Sequence, residues 1–253
     1  METLHHKVEG TGPVVVLLHA GVGDLRMWDA QATDLARTNT VLRCDLRGFG
    51  GSAPTPSSCD ADEVLALLDH LDVRDFALVG ASYGGYVALQ VASAAPERVR
   101  LLVLLCPLAE VVEPDEPLRA LWAEEGRLLD AGDLDGATEL NVQAWLGPEA
   151  DDEARDLVRR MQRDALVQQV DAGETDGREL PVDLDRLTMP ATVVSGALDQ
   201  PFFVATAREL VARLPHATLV QLDWAGHLPS LERPDETTRS IREALEGRGR
   251  VAG

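Results

Sequence analysis

The sequence has few of the features that mark membrane, secreted or metal-binding proteins. Its early apolar run, residues 13–18, is far shorter than the about 20 residues that a membrane-spanning helix needs, and the chain opens without the apolar stretch of a secretory signal. It has only three cysteines, Cys44, Cys59 and Cys106, without paired metal-ligand spacing. These absences predict a cytoplasmic protein with reduced, structural thiols, no metal site and no membrane partner.

Basic residues are scarce relative to acidic ones. The chain carries 23 Lys and Arg against 43 Asp and Glu, which gives a formal net charge of -20 at pH 7. Because such a surface repels phosphate backbones and anionic membrane surfaces, nucleic acid is not an expected partner. The total charge says little about a substrate, since the charge of a pocket is local.

Length and composition fit one globular domain. The 253 residues are 45% hydrophobic and 26% charged, enough for a sizeable core. Short apolar, β-branched runs alternate with helical segments such as residues 60–71, which Asp60 can cap. This alternation predicts the α/β class, a mostly parallel sheet covered by helices on both faces. The predicted strands are residues 14–18, 41–44, 76–79, 99–105, 191–194 and 218–222, with residues 4–8 as an antiparallel edge strand.

The alternation stops between about Pro107 and Pro181, where no strand-like run occurs. Apolar residues there recur at helical spacing in three stretches, which predicts three or four short helices. We interpret this region as an inserted helical cap. The predicted division is a core of residues 1–106 and 182–253 with a cap of residues 107–181.

A serine lies between two glycines in the run LVGASYGGY. Ser82 follows a predicted buried strand directly and precedes a helical segment. A serine in such a turn takes a strained backbone conformation, and Gly80 and Gly84 let the strand and the helix approach without a clash of Cβ atoms. The Gly-x-Ser-x-Gly pattern alone is weak, and a serine that merely caps a helix is the alternative. The flanking strand and helix favour a nucleophile.

A serine hydroxyl needs a base to take its proton and an acid to orient that base. Asp199 follows predicted strand 191–194 in SGALDQP, and His227 follows strand 218–222 in DWAGHLPSLERPD. Glu110, shortly after strand 99–105, is the rival acid, but Asp199 has the matching Gly-x-x-Asp neighbourhood. The chain order Ser, Asp, His is the one expected when a strand-turn-helix carries the nucleophile.

In these motifs the sequence resembles the α/β-hydrolases of the esterase and lactonase branch, over nearly the whole chain except the cap. It looks most like the group that contains 3-oxoadipate enol-lactonases, non-haem haloperoxidase-like esterases and C–C bond hydrolases. The matching residues are His19-Ala20-Gly21, residues 45–52, the Ser82 turn, Asp199, and His227 with Pro229, Glu232 and Pro234.

The resemblance implies a role for each member of the triad. Ser82 attacks a carbonyl carbon, His227 takes its proton and later gives it to the leaving group, and Asp199 orients the imidazole. The backbone N–H groups of Tyr83 and Gly21 form the oxyanion hole. Because Ala20 stands where the family's motif more often has glycine, the choice of second donor between Gly21 and Val22 stays open. No cofactor is implied.

Several other residues receive structural or pocket roles. His19 is expected to anchor its loop, and Asp45 and Arg47 to fix a turn, whereas the remaining histidines are expected at the surface: His5, His6, His70 and His216. The candidates for an apolar acyl pocket are Met27, Trp28, Tyr83, Trp122 and Trp145, and a core position is the alternative for each of them. Val22 is a further candidate for binding the substrate.

The resemblance implies hydrolysis of a small-molecule carboxylic ester or lactone through an acyl-enzyme. A serine nucleophile argues against haloalkane dehalogenases and epoxide hydrolases of this fold, which use aspartate. C–C bond hydrolase, peptidase, thioesterase and perhydrolase activities share the triad and differ in cap and pocket. The alternative outside the enzymes is a ligand-binding module that does not turn its ligand over. The sequence gives neither the substrate nor the oligomeric state.

Overall fold

The computed structural model describes residues 3–173 and 176–247, and within them seven strands form one sheet in the order β1-β3-β2-β4-β5-β6-β7. β1 pairs with β3 antiparallel, and all other neighbours are parallel. The predicted α/β class and the antiparallel edge strand are confirmed, although this strand begins at His6 and not at residue 4. The strands are β1 (His6–Glu9), β2 (Val14–Leu18), β3 (Thr40–Cys44), β4 (Phe76–Ala81), β5 (Val99–Leu105), β6 (Ala191–Gly196) and β7 (Ala217–Leu222).

Helices connect the parallel strands, as crossover connections require. Among the described residues, none of them is both long and apolar enough to cross a bilayer. The helices are α1 (Asp29–Leu35), α2 (Asp60–His70), α3 (Tyr83–Ala94), α4 (Glu116–Asp130), α5 (Leu134–Trp145), α6 (Asp152–Ala172), α7 (Pro201–Arg213), α8 (Pro229–Glu232) and α9 (Pro234–Leu245).

The sheet separates two hydrophobic clusters, because successive side chains of a strand point to opposite faces. In β2, Val16 and Leu18 enter the cluster that also contains side chains of α2 and α3. Val15 and Leu17 enter the other cluster, with side chains of α1 and α9. The central strands are therefore apolar on both faces, as the continuous apolar runs predict.

Asp60 does not cap α2. It is the first residue of the helix, and Cys59 occupies the cap position without a side-chain cap hydrogen bond. The Asp60 carboxylate instead accepts the hydroxyl of Tyr83 at 2.7 Å and the backbone N–H of Arg47 at 3.3 Å. The capping prediction was wrong because partners from distant parts of the chain compete for this carboxylate.

Between β5 and β6 the described residues form three α-helices, α4, α5 and α6, each of which an aspartate caps. Asp115, Asp133 and Asp151 accept the backbone N–H of the third residue after each of them. Leu118 and Val142 join the cluster on the α1 and α9 face of the sheet. We keep the name cap for residues 107–181, and its division from the core stays a prediction.

Candidate active site

Ser82 lies in the sharp turn between β4 and α3. Its φ of 51° and ψ of -116° are strained for a residue with a side chain. Backbone hydrogen bonds hold this conformation: Ser82 donates to Leu105 O at 2.9 Å and accepts from Gly85 at 2.9 Å and Leu108 at 3.0 Å. The hydroxyl consequently projects beyond the carboxyl end of β4.

The two glycines beside Ser82 are required by close backbone contacts. A Cβ atom on Gly84 would meet the carbonyl oxygens of His19 and Leu18, and one on Gly80 would meet that of Gly84. Because these neighbours are backbone atoms, they cannot turn aside as a flexible side chain does. The turn therefore demands glycine at both positions, as the sequence pattern predicts.

We expect Gly84→Ala to lower the free energy of unfolding by about 1–3 kcal/mol, since the added methyl group forces β2 and α3 apart. Chemical denaturation measures the change. Gly126→Ala is the matched control, because Gly126 lies inside α4 with nothing within 4 Å of an added Cβ. That substitution should stabilise the chain by about 0.5–1 kcal/mol. Equal stabilities of Gly84→Ala and the wild type would contradict this account of the turn.

The side chains of Asp199 and His227 converge on Ser82 from the loops after β6 and β7. His227 Nε2 lies 2.8 Å from Ser82 Oγ, and His227 Nδ1 lies 2.9 Å and 3.0 Å from the two carboxylate oxygens of Asp199. The His227 and Asp199 side chains are only 3% and 1% exposed. The structure thus brings the three predicted residues into one hydrogen-bonded chain.

These contacts fix the tautomer of the imidazole. A carboxylate only accepts hydrogen bonds, so His227 Nδ1 carries the proton and donates it to Asp199. Nε2 is then free to accept the proton of Ser82 Oγ. The backbone N–H of Gln200 donates to Asp199 Oδ1 at 2.6 Å and helps to hold the carboxylate in place.

The loop that carries His227 is supported by Glu232. This carboxylate accepts the backbone N–H groups of Gly226 at 2.8 Å and Leu228 at 3.1 Å, on either side of His227. Burial raises the pKa of the Glu232 carboxyl, and the backbone donors oppose that shift. The ring of Phe203 also packs against the imidazole, with 4.1 Å between ring centres. Sequence reasoning matched Glu232 to the family without a role, and it missed Phe203.

Two backbone segments line the same cavity as Ser82 and are the candidates for an oxyanion hole. Tyr83 is the first residue of α3, where an N–H group has no acceptor within the helix and the helix dipole favours negative charge. Gly21 lies against it, since a Cβ atom on Gly21 would be 3.5 Å from Tyr83 Cβ. Gly21 and Val22 both line the same cavity as Ser82. The choice between them as second donor stays a prediction.

The family description "alpha/beta hydrolase fold" matches residues 13–182, more than half of the chain. The chain belongs to the α/β-hydrolase family. Its seven-stranded, mostly parallel sheet with flanking helices is the α/β-hydrolase fold that the sequence resemblance implied.

Similar proteins include esterases and lactonases. A 3-oxoadipate enol-lactonase of Acinetobacter baylyi is 24% identical over 244 residues, which cover 92% of this chain and 89% of the relative. A pimeloyl-(acyl-carrier protein) methyl ester esterase of Chromobacterium violaceum is 29% identical over 245 residues, which cover 94% and 96%. The solved structure of a thermophilic esterase from Thermogutta terrifontis gives a TM-score of 0.82 at 28% identity, covering 98% of this chain and 94% of that one.

His19 anchors the loop after β2 in this α/β-hydrolase, as predicted. Its ring is fully buried, Nε2 accepts the N–H of Leu46 at 2.9 Å, and Nδ1 lies 2.8 Å from Ala20 O. Since Nε2 accepts, Nδ1 must carry the proton that Ala20 O receives. Burial lowers the pKa of His19, which keeps the ring neutral. It therefore ties the Gly21 loop to the loop after β3.

The other residues that we considered for catalysis have structural contacts. The buried Asp45 carboxylate accepts the N–H groups of Leu25 and Gly51, both at 2.7 Å. Arg47 pairs with Glu63. Among the surface histidines, His5 hydrogen-bonds Asp45 at 2.6 Å and keeps a side chain that is 48% exposed. His70 and His216 are exposed, and His6 is half-buried. The rival acid Glu110 is exposed, and Asp199 is the residue whose carboxylate bonds His227 Nδ1.

A cavity of about 290 Å³ opens above Ser82, with walls from the core and from the cap. Val22, Tyr83, Trp122 and Trp145 line this cavity, and their role in an acyl pocket stays a prediction. Trp28 does not line it: its side chain is 0% exposed and packs in the hydrophobic cluster on the α1 and α9 face. Met27 is buried in the same cluster. We correct both assignments, since these side chains are buried among core residues and neither lines the cavity above Ser82.

Cys106 lies behind the triad. Among the described residues, a possible metal-binding group consists of one ligand atom each from Cys106, Asp199 and His227, and these atoms lie within 4.8 Å of one another. Both ring nitrogens of His227 already face hydrogen-bond partners, and the thiol donates to Gly226 O at 3.7 Å. Burial raises the pKa of this thiol. The contacts favour a protonated thiol that packs against the triad, not a metal ligand.

Proposed function

We propose that this α/β-hydrolase cleaves a small-molecule carboxylic ester or lactone through an acyl-enzyme on Ser82. The chief support is the hydrogen-bonded chain from Ser82 Oγ through His227 to Asp199, with its proton positions fixed by donor and acceptor chemistry. Esterases and a lactonase among the relatives support the same reaction class.

In the proposed reaction, Ser82 Oγ attacks the carbonyl carbon while its proton passes to His227 Nε2. The N–H groups of Tyr83 and of Gly21 or Val22 donate to the oxygen that becomes negative. The new imidazolium, held by Asp199, gives its proton to the departing alkoxide and the acyl group stays on Ser82. Water then repeats the sequence, with His227 as its base, and releases the carboxylic acid.

The cap helps to choose among reactions that share this triad. Side chains of α4, α5 and α6 line the cavity, and its volume of about 290 Å³ suits a small acyl group and not a polypeptide. C–C bond, thioester and perhydrolysis chemistry remain alternatives on the same residues. We retain a cytoplasmic location in this proposal, supported by three cysteines that are all free thiols. The proposed reaction uses no cofactor, since the triad and the oxyanion hole suffice for acyl transfer.

Turnover of a short activated ester separates this enzyme from a binding module on the same scaffold. We expect the purified protein to release p-nitrophenol from p-nitrophenyl acetate over many turnovers. Saturable binding of the ester without release, measured by calorimetry on the same preparation, would instead support the module and overturn the proposal.

The rate should depend on pH through His227. We expect kcat/KM to rise from acid toward neutral pH, because the imidazole accepts the Ser82 proton only in its neutral form. Initial rates across this range measure the profile, with circular dichroism at each pH to confirm that the protein stays folded. A flat profile over a folded protein would argue against His227 as the base.

A further inference from the structure

A groove adjoins the cavity above Ser82. This groove, of about 650 Å³, shares Tyr83, Leu108 and Trp122 with the cavity. A substrate bound at Ser82 can therefore extend past Trp122 into the groove. A substrate that occupies both spaces would be selected by the charges on the walls of the cavity and the groove.

Acidic residues line both the cavity and the groove. Among the described residues, the cavity is lined by Glu125 and the groove by Glu110, Glu113 and Glu179, and no Lys or Arg lines either space. Glu179 also accepts the hydroxyl of Tyr86 at 2.9 Å. A carboxylate on the substrate would be repelled in both spaces, whereas a cationic group would be attracted.

A buried polar group in the cavity wall has no partner. Gln162 on α6 lines the cavity and is only 4% exposed, and its Oε1 atom has no hydrogen-bond partner in the described part of the chain. An unpaired buried acceptor is unfavourable, so a ligand that donates a hydrogen bond to it would be stabilised. Nearby, Asn141 joins α5 to α4 by donating to Glu125 at 2.5 Å and leaves Glu125 as a wall of the cavity.

Trp122 stands at the junction of the two spaces. Its side chain lines both of them and the residue is 40% exposed, which is unusual for so large an apolar group. The face of an indole ring attracts cations. Trp122 can therefore bind the same positively charged group that the surrounding carboxylates attract.

We propose that the site selects esters or lactones that carry a cationic N–H group, such as a primary ammonium, and discriminates against those that carry a carboxylate. This inference rests on the proposed ester hydrolysis at Ser82. The carboxylates supply the attraction, Trp122 adds a cation–π contact, and Gln162 accepts an N–H donor.

Three esters of matched length test the preference: p-nitrophenyl 6-aminohexanoate, p-nitrophenyl heptanoate and mono-p-nitrophenyl adipate. We expect kcat/KM to decrease in that order, with about tenfold or more between the ammonium and carboxylate esters. An adipate ester hydrolysed as fast as the aminohexanoate would overturn the proposal. If no ester is hydrolysed, the proposed ester hydrolysis at Ser82 is refuted, but the charge preference is not. The affinities of the three esters for the Ser82→Ala variant, measured by calorimetry, then test the charge preference alone.

Glu125→Gln identifies the source of the preference, because it removes the charge and keeps an oxygen that can accept from Asn141. We expect the ratio of aminohexanoate to adipate rates to fall several-fold in this variant. Glu124→Gln is the matched control: Glu124 is the neighbouring residue on α4, is exposed and pairs with Arg127. An equal change of the ratio in both variants would show that the preference depends on the total charge of the protein and not on Glu125, which would contradict the proposal.

Discussion

Ser82→Ala should lower kcat/KM for an activated ester by about 10⁴-fold or more. In the proposed reaction the Oγ atom of Ser82 forms the acyl-enzyme bond, and this atom lies 2.8 Å from His227 Nε2, the proposed proton acceptor. Among the described residues, Ser82 supplies the one hydroxyl found in a hydrogen bond with the His227 ring. Rates of p-nitrophenol release by the wild type and the variant measure the loss.

Stability distinguishes a chemical effect from misfolding. Alanine can adopt the same backbone angles at the same cost as serine, so the free energy of unfolding should change by about 1 kcal/mol or less. Ser240→Ala, on α9, is a matched control that removes a hydroxyl bonded to Glu236 O and should leave the rate unchanged. An active Ser82→Ala variant would refute Ser82 as the nucleophile.

Asp199→Asn should reduce kcat by about 10³–10⁴-fold. An asparagine amide can donate an N–H to His227 Nδ1, which moves the ring proton to Nε2. Nε2 then cannot accept the Ser82 proton. The variant also loses the carboxylate that stabilises the imidazolium, although its shape is nearly unchanged. Steady-state kinetics at neutral pH measure this effect.

Asp223→Asn is the control for Asp199→Asn. Asp223 follows β7 near the His227 loop, is exposed, and accepts only a long contact of 3.5 Å from Gln221 among the hydrogen bonds found for its side chain. We expect a rate within about twofold of the wild type for this control, since surface substitutions have small effects. If Asp199→Asn behaved in the same way, the acid would have to be sought elsewhere.

Local patterns predicted the elements that carry the site. The run 14–18 coincides with β2, and Ser82 lies between β4 and α3 as its flanking strand and helix indicated. Apolar runs and glycine spacing are properties of neighbouring residues, so the sequence displays them directly. Asp199 and His227 follow β6 and β7 in the sequence. Because parallel strands have their carboxyl ends at one edge of the sheet, both residues were expected to lie near Ser82.

Contacts between distant segments could not be predicted in the same way. Trp28 and Phe203 are both large aromatic residues, but only Phe203 faces the imidazole, while Trp28 lies in the core. Which one reaches the site depends on how each helix or turn is rotated against the sheet. Asp60 shows the same limit, since its carboxylate binds Tyr83 and not the end of its own helix.

The interior of the cap was the least predictable part of the site. Helical spacing identified the apolar faces of α4, α5 and α6, yet the polar contact of Glu125 with Asn141 joins two of these helices. Gln162 on the third helix lines the same cavity. Spacing within one helix gives the residues that share a face but does not say which face meets which.

The central claim is that Ser82 becomes covalently acylated because His227 and Asp199 activate it. Peptide mapping by mass spectrometry after reaction with a fluorophosphonate tests it most directly, because this reagent reports activated serines. The account predicts one phosphonate per chain, on Ser82, with labelling lost in Ser82→Ala and strongly slowed in Asp199→Asn. Labelling of another serine, or an unmodified but folded wild-type protein, would contradict it.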